Sequence, residues 1–227
     1  MNSACFLDRH HAGELLGQAL SKYADGKDVI VLGLPRGGVP VAYEVARQLR
    51  VPMDVMVVRK LGVPGWEELA MGAIASGGIR VMNDDVVMSS GVSQETIEKV
   101  TALQQLELTR RELAYRGHDA PARIKGRIVI LVDDGIATGA TIRAAIRAIR
   151  AQSPAELIVA VPVAPPETCA ELQPMVDSLV TLVVPDNFIA VGHWYHNFTQ
   201  TTDDQVRELL ALAARDLQDS GRGDSNA

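Results

Sequence analysis

The clearest structural signal in the chain is the stretch RIVILVDDGIATGATIRAAIRAIRA at residues 127–151. It begins with a short run over 127–132 that is continuously apolar after Arg127, which is typical of a strand buried on both faces. It ends with a helical repeat that puts isoleucine and alanine on one face and arginine on the other. The residues between them, 133–141, are mostly small or acidic. The stretch therefore predicts a strand, a tight loop and a helix in direct succession.

The same alternation of strand and helix continues on both sides of this stretch. Further apolar runs occur at 28–34, 53–59, 156–163 and 178–184. The first two flank a helix pattern over 40–49, and the last two flank a short helix near 166–173. Units of this length are typical of parallel strands joined by right-handed crossovers. We therefore expect one α/β domain with a mostly parallel sheet flanked by helices.

The remaining segments predict peripheral elements. We expect an amphipathic helix over 6–24, a long mobile loop over 60–69 and a helix over 94–116. A hairpin is expected over 70–83, with its turn at Gly77-Gly78. The small, polar tail from residue 219 to 227 is expected to be disordered.

Composition narrows the class of protein. The chain has 227 residues, of which 47% are hydrophobic and 22% charged, which is typical of a globular domain. Its net charge of −6 argues against a nucleic-acid-binding surface. Two cysteines are too few for a disulfide framework. The sequence contains neither a signal peptide nor an apolar run long enough to span a membrane, so a cytoplasmic protein is expected.

Ligands of parallel sheets bind beyond the carboxyl ends of the strands. The loop at 133–141 is at such an end and leads directly into a helix, whose N-terminal amides favour a phosphate. Thr138 and Thr141 add hydroxyl donors. Asp133 and Asp134 would repel a phosphate but suit a sugar diol or the outer shell of Mg²⁺. The loop therefore predicts a site for a ribose 5-phosphate. It is not a Walker A loop, because Ala140 follows Gly139 where that motif needs lysine.

These residues resemble a known family. ILVDDGIATGAT, at 130–141, resembles the motif with which type I phosphoribosyltransferases bind phosphoribosyl pyrophosphate (PRPP). GLPRGGVPVA at 33–42 is similar to the family's pyrophosphate loop, and VVRKLG at 57–62 is similar to the start of its flexible catalytic loop. With FLDRHHAG near the start and AVGHWYHNF near the end, the pattern resembles a bacterial group of stand-alone phosphoribosyltransferases.

The resemblance implies a phosphoribosyltransferase-like domain over residues 1–218, which has a five-stranded parallel core and a small hood built from about 1–25 and 185–205. It also implies a Mg²⁺-dependent reaction in which a nitrogenous acceptor, such as a nucleobase, attacks C1 of PRPP and displaces pyrophosphate. The metal would be held through PRPP and water near Asp133 and Asp134, with no direct protein ligand. The expected partners are PRPP and a small-molecule acceptor, with no nucleic acid and no membrane. Members of the family are typically homodimers.

The resemblance also assigns residues. Asp133 and Asp134 would meet the ribose hydroxyls, while the 5-phosphate would be wrapped by Ala137, Thr138, Gly139, Ala140 and Thr141. Arg36 and Gly37 would contact the pyrophosphate, with a cis peptide before Arg36. Arg59 and Lys60 would neutralise the charge that develops on the departing pyrophosphate.

Two features of the sequence leave the identity of the acceptor open. Family members acting on 6-oxopurines carry an aspartate directly before the Thr-Gly of the loop, where this chain has Ala137, which argues against oxopurine salvage. His193, Trp194 and Tyr195 fall in the segment that the family uses as a hood and are candidate acceptor contacts; an aromatic patch covering the sheet edge is the alternative. A PRPP-sensing regulator, a phosphate-ester hydrolase and a binding module without chemistry remain rival functions.

Overall fold

The computed structural model describes residues 5–117 and 120–223 of the chain. Its strands are β1 (Val29–Gly33), β2 (Met53–Val55), β3 (Val58–Val63), β4 (Trp66–Ala75), β5 (Ile79–Met82), β6 (Ile128–Val132), β7 (Glu156–Val163) and β8 (Ser178–Val183). Its α-helices are α1 (Arg9–Ala19), α2 (Gly38–Leu49), α3 (Asp84–Ser90), α4 (Gln94–Arg116), α5 (Ala140–Arg150), α6 (Pro166–Leu172) and α7 (Asp203–Gly223). None of the helices in these ranges is long and apolar enough to cross a membrane.

The central sheet is five-stranded and parallel, in the order β2-β1-β6-β7-β8, which confirms the predicted fold class. Strand β6 lies in the middle and is buried on both faces. Val129 and Leu131 pack into the core on one side, and Ile130 and Val132 pack into the core on the other. Because all five strands point the same way, their carboxyl ends meet at one edge, where the loops of interest lie.

A second, three-stranded antiparallel sheet, β3-β4-β5, corrects two of our expectations. The mobile loop predicted over 60–69 is instead most of a β-hairpin, which turns at Pro64-Gly65, where Gly65 has a φ of +82°. Leu61 and Val63 are buried while the residues between and before them are not, so β3 has the alternation of a one-sided strand. The run at 53–59 is therefore two strands in different sheets. The predicted turn at Gly77-Gly78 is confirmed.

The first described residues pair with the segment around Trp194, which precedes the last helix. The backbone N–H groups of Cys5 and Phe6 donate to the carbonyl of Trp194 at 3.1 and 3.0 Å. Helix α7, which follows, packs on α2 and was not predicted from the sequence. It continues to Gly223, beyond the expected start of the tail at residue 219, and residues 224–227 lie outside the described residues. The predicted helix over 6–24 is shorter, ending at Ala19 before a 3₁₀ turn over Ser21–Tyr23.

Candidate functional site

The loop between β6 and α5 is held in place at two points. The backbone N–H of Ile136 donates to the carbonyl of Val163 at 2.9 Å. The hydroxyl of Thr168, at the start of α6, donates to the carbonyl of Ala137 at 2.8 Å. Between these anchors and the helix, Gly139 adopts a φ of +73°, which glycine tolerates without strain. The sheet edge thus fixes the loop in position at the beginning of α5.

The first turn of α5 lacks the partners that usually satisfy a helix N-terminus. Gly139, at the N-cap, has no side chain to accept a hydrogen bond, and no acidic residue lies in the first turn. Thr138 and Thr141 are exposed, so their hydroxyls are accessible to a ligand. Free amides, two hydroxyls and the positive end of the helix dipole together favour a bound phosphate.

An open cleft of about 750 Å³ lies between this loop and the second sheet. Thr138, Ala140 and Thr141 line it on one side, and Arg59 and Lys60 of β3 line it as well. Pro35, from the loop after β1, also reaches it. The structure therefore brings the predicted phosphate loop and both predicted cationic residues to one cavity, although they are about 80 residues apart in sequence.

The two cations differ in how they are held. The Arg59 Nε donates to the side-chain oxygen of Gln104 on α4 at 2.9 Å, and Lys60 pairs with the exposed carboxylate of Glu68 at 3.0 Å. Burial lowers the pKa of Arg59, and the positive charge of Arg111 lowers it further. An arginine nevertheless keeps its charge at neutral pH, so Arg59 is a partly desolvated cation facing the cleft.

The paired acids occupy a more enclosed position than an exposed strand end would give. The backbone N–H of Asp134 donates to the Asp133 carboxylate at 2.9 Å, and the Asp134 carboxylate accepts from Arg9 Nε at 2.7 Å. Burial raises the pKa of Asp133 well above its usual value, and the charge of Asp134 adds to that rise. Burial also raises the pKa of Asp134, but the Arg9 guanidinium opposes the rise.

Arg9 is a site residue that sequence reasoning missed. It lies in the FLDRHHAG segment, which carried part of the family resemblance but suggested no role for this side chain. Tyr195 is linked to the same place, because its hydroxyl donates to the carbonyl of Asp134 at 2.5 Å. Both residues are far from the acidic pair in sequence, so no local pattern could have revealed the contacts.

The loop carrying Arg36 and Gly37 packs directly on the acidic pair. The peptide bond between Pro35 and Arg36 is cis, as the resemblance implies. A Cβ atom added to Gly37 would lie 2.0 Å from the Asp134 Oδ2, so only glycine allows this approach. The Arg36 guanidinium lies 3.8 Å from the Asp203 carboxylate at the start of α7. Arg36 is not among the residues that line the large cleft.

The three candidate acceptor contacts divide into two groups. His193 is exposed, whereas Trp194 and Tyr195 are only 6% and 5% exposed. Their rings pack in a cluster with Phe6, and the Tyr195 ring lies 5.3 Å from that of Phe6. The structure therefore favours the alternative of an aromatic patch for the two buried rings. Trp194 keeps a buried indole N–H for which the described residues provide no acceptor.

The described residues contain no group of three or more histidine, cysteine or acidic side chains that could hold a metal ion. Asp133 and Asp134 are two carboxylates, and one of them is already paired with Arg9. This arrangement fits a metal that arrives bound to the oxygens of a phosphorylated substrate, with the acids in its outer shell.

Comparison with known proteins gives the family. The phosphoribosyl transferase domain model matches residues 7–198, so the chain belongs to the phosphoribosyl transferase family. Two proteins of Mycobacterium tuberculosis, provisionally named phosphoribosyl transferases, are each 47% identical over 222 residues. The match covers 98% of this chain but 50% of each relative, so the chain spans about half their length.

A crystal structure of the protein TT1426 from Thermus thermophilus has the same architecture. It superposes with a TM-score of 0.83 at 43% identity, over 90% of this chain and 97% of that one. The predicted membership of the type I phosphoribosyltransferases is thereby confirmed, together with the arrangement of the central sheet.

Proposed function

We propose that this protein is a phosphoribosyltransferase that binds PRPP with Mg²⁺ and transfers its phosphoribosyl group to a nitrogenous acceptor. The observation that carries the proposal is the shared cleft, where Thr138, Ala140 and Thr141 lie together with Arg59 and Lys60. A phosphate loop and a pair of cations are the two features needed to bind a sugar with phosphate at one end and diphosphate at the other.

In the proposed complex the 5-phosphate is bound by the amides and hydroxyls of residues 137–141. The acidic pair accepts hydrogen bonds from the ribose hydroxyls, and Arg9 holds one Asp134 oxygen in a fixed direction. The diphosphate lies towards Arg59 and Lys60, beside the loop that contains Arg36 and Gly37. The Mg²⁺ would neutralise diphosphate charge, and it would arrive with the substrate.

The reaction is a substitution at C1 of the ribose. A lone pair of the acceptor nitrogen forms the new bond to C1, and the C1–O bond breaks with its electrons remaining on the diphosphate. The acceptor nitrogen then releases its N–H proton to water. Negative charge therefore grows on the leaving group, which Arg59 and Lys60 stabilise. The contribution of the protein is mainly positioning and charge stabilisation.

The test is release of pyrophosphate from PRPP with Mg²⁺ in the presence of a panel of nucleobases and small amines. The wild type should release pyrophosphate only with an acceptor, and Lys60→Gln should reduce the rate about tenfold or more. Lys99→Gln is the matched control, because Lys99 also pairs with one exposed glutamate but lies outside the cleft. Release without acceptor would indicate a hydrolase, and PRPP binding without release would indicate a sensor.

A further inference from the structure

Helix α4 contributes a face of its own to the cleft. Among the lining residues, Val100, Leu103, Gln104 and Arg111 come from this helix. The last three lie three, four and eleven positions after Val100, which places all of them along a single helix face. A cationic residue on that face, Arg111, therefore reaches the same cavity as Arg59 from a different element.

Arg59 and Arg111 are held in the same way. The Arg59 Nε donates to Gln104, and the Arg111 Nε donates to the Glu107 carboxylate at 2.7 Å. Within residues 5–117 and 120–223, the terminal amino groups of neither guanidinium make a hydrogen bond. Each arginine is thus oriented through its Nε, while its two terminal amino groups remain available to a ligand.

Too little negative charge lies near Arg59 and Arg111 to neutralise both of them. Glu107 is shared, because it pairs with Arg110 at 2.8 Å as well as with Arg111. The acids that line the cleft itself are Glu67, which accepts from the backbone N–H of Gly65, and Glu68, which pairs with Lys60. Burial, and after it the positive charge of Arg111, lowers the pKa of Arg59. A polyanion bound between the two arginines would relieve their repulsion.

We propose that Arg111 is a diphosphate-binding residue, which acts with Arg59 on the same diphosphate group of the substrate. The identity of this ligand rests on the proposed function. Two planar guanidinium forks can each donate two parallel hydrogen bonds to phosphate oxygens, a geometry that lysine does not provide. Helix α4 would then have a binding role in addition to packing against the second sheet.

The test is calorimetric titration of the full chain with inorganic diphosphate in the presence of Mg²⁺. Arg111→Gln should weaken binding about tenfold or more, and Arg111→Lys should lie between it and the wild type. Arg110→Gln is the matched control, because Arg110 pairs with the same glutamate but does not line the cleft. It should change the dissociation constant less than about twofold. Circular dichroism would verify that the three variants retain the wild-type helix content.

Three results would overturn the proposal: unchanged affinity in Arg111→Gln, an equal loss in Arg110→Gln, or no binding of diphosphate by the wild type. The role of Arg111 and the proposed transferase activity can be told apart by experiment. Diphosphate binding that depends on Arg111, without pyrophosphate release from PRPP with any acceptor, would support the role of Arg111 and contradict transferase activity. If Arg111→Gln left both pyrophosphate release and the affinity for diphosphate unchanged, the transferase activity would be supported and the role of Arg111 contradicted.

Discussion

The Arg9 Nε lies 2.7 Å from the Asp134 Oδ2, across 125 residues of sequence. The same guanidinium lies 3.9 Å above the Phe198 ring and donates to the carbonyl of Thr199 at 2.7 Å. One side chain therefore connects the first helix, the acidic pair and the segment before α7. It supplies the counter-charge that lets a carboxylate remain ionised in an enclosed position.

Replacing Arg9 should destabilise the protein more than a typical charge substitution does. The paired side chains are only 11% and 14% exposed, so Arg9→Gln leaves Asp134 without its cation in a partly dry site. We expect the free energy of unfolding at neutral pH to fall by about 2–3 kcal/mol, measured by urea denaturation. Arg80→Gln breaks a more exposed pair with Glu98 and should cost less than about 1 kcal/mol. Equal losses in the two variants would contradict the structural role of Arg9.

Asp133 should give the stability a measurable pH dependence. Because burial raises its pKa in the folded state, the folded protein binds a proton more tightly than the unfolded chain does. The contribution of Asp133 to the free energy of unfolding is therefore complete below the usual aspartate pKa of 3.8, and it is lost as the pH rises through the raised pKa of the folded state. Asp133→Asn does not titrate, so its stability relative to the wild type should increase with pH over that window. Thermal unfolding in buffers from about pH 4 to 7 would measure the difference.

Asp177 is a control, because its pKa is shifted in the opposite direction from that of Asp133. The backbone N–H of Leu157 and the Arg150 guanidinium lower its pKa, so its contribution is complete above the usual value and is lost as pH falls below it. Asp177→Asn should therefore be less stable than the wild type by a constant amount above about pH 5. If Asp133→Asn followed the same profile, the burial of Asp133 would be contradicted.

Gly37 should tolerate no side chain. A Cβ atom there would lie 2.0 Å from the Asp134 Oδ2 and 2.7 Å from its Cγ, so Gly37→Ala must push the loop and the acid apart. We expect a stability loss of about 1–3 kcal/mol and a loss of PRPP affinity of about tenfold or more, measured by calorimetry.

Gly91→Ala is the control for Gly37→Ala. Gly91 ends α3 with a φ of +64°, and a Cβ atom there would meet nothing within 4 Å. The substitution should cost about 1 kcal/mol through backbone strain alone and leave PRPP affinity unchanged. Wild-type affinity in Gly37→Ala would show that contact between this loop and Asp134 has no part in substrate binding.

The central sheet could be predicted because its signals are local. Each strand is a continuous apolar run, and each crossover helix has its own periodicity, so β6 and α5 could be assigned from one short stretch. The β3–β4 hairpin was missed because proline and glycine at 64–65 were interpreted as part of a mobile loop. Those two residues form the whole turn between two strands.

Helix α7 carried a signal that could have been used. Val206, Leu209 and Leu210 recur at helical spacing after two aspartates. Val206 belongs to the buried cluster that contains Val39, and the two leucines pack against it. The contacts of Arg9 and Tyr195 with Asp134 are different, because they join distant segments through tertiary structure alone. The candidate site could therefore be located from its loops, but the groups that orient its acids could not.

The central claim is that the turn at residues 137–141 binds the phosphate of PRPP, and calorimetric titration with Mg²⁺ and PRPP tests it most directly. The Thr138→Val, Thr141→Val double variant should bind about tenfold more weakly than the wild type or worse, because two hydroxyl donors are lost. Thr109→Val, at an exposed threonine of α4, should bind as the wild type does. Wild-type affinity in the double variant would contradict the claim.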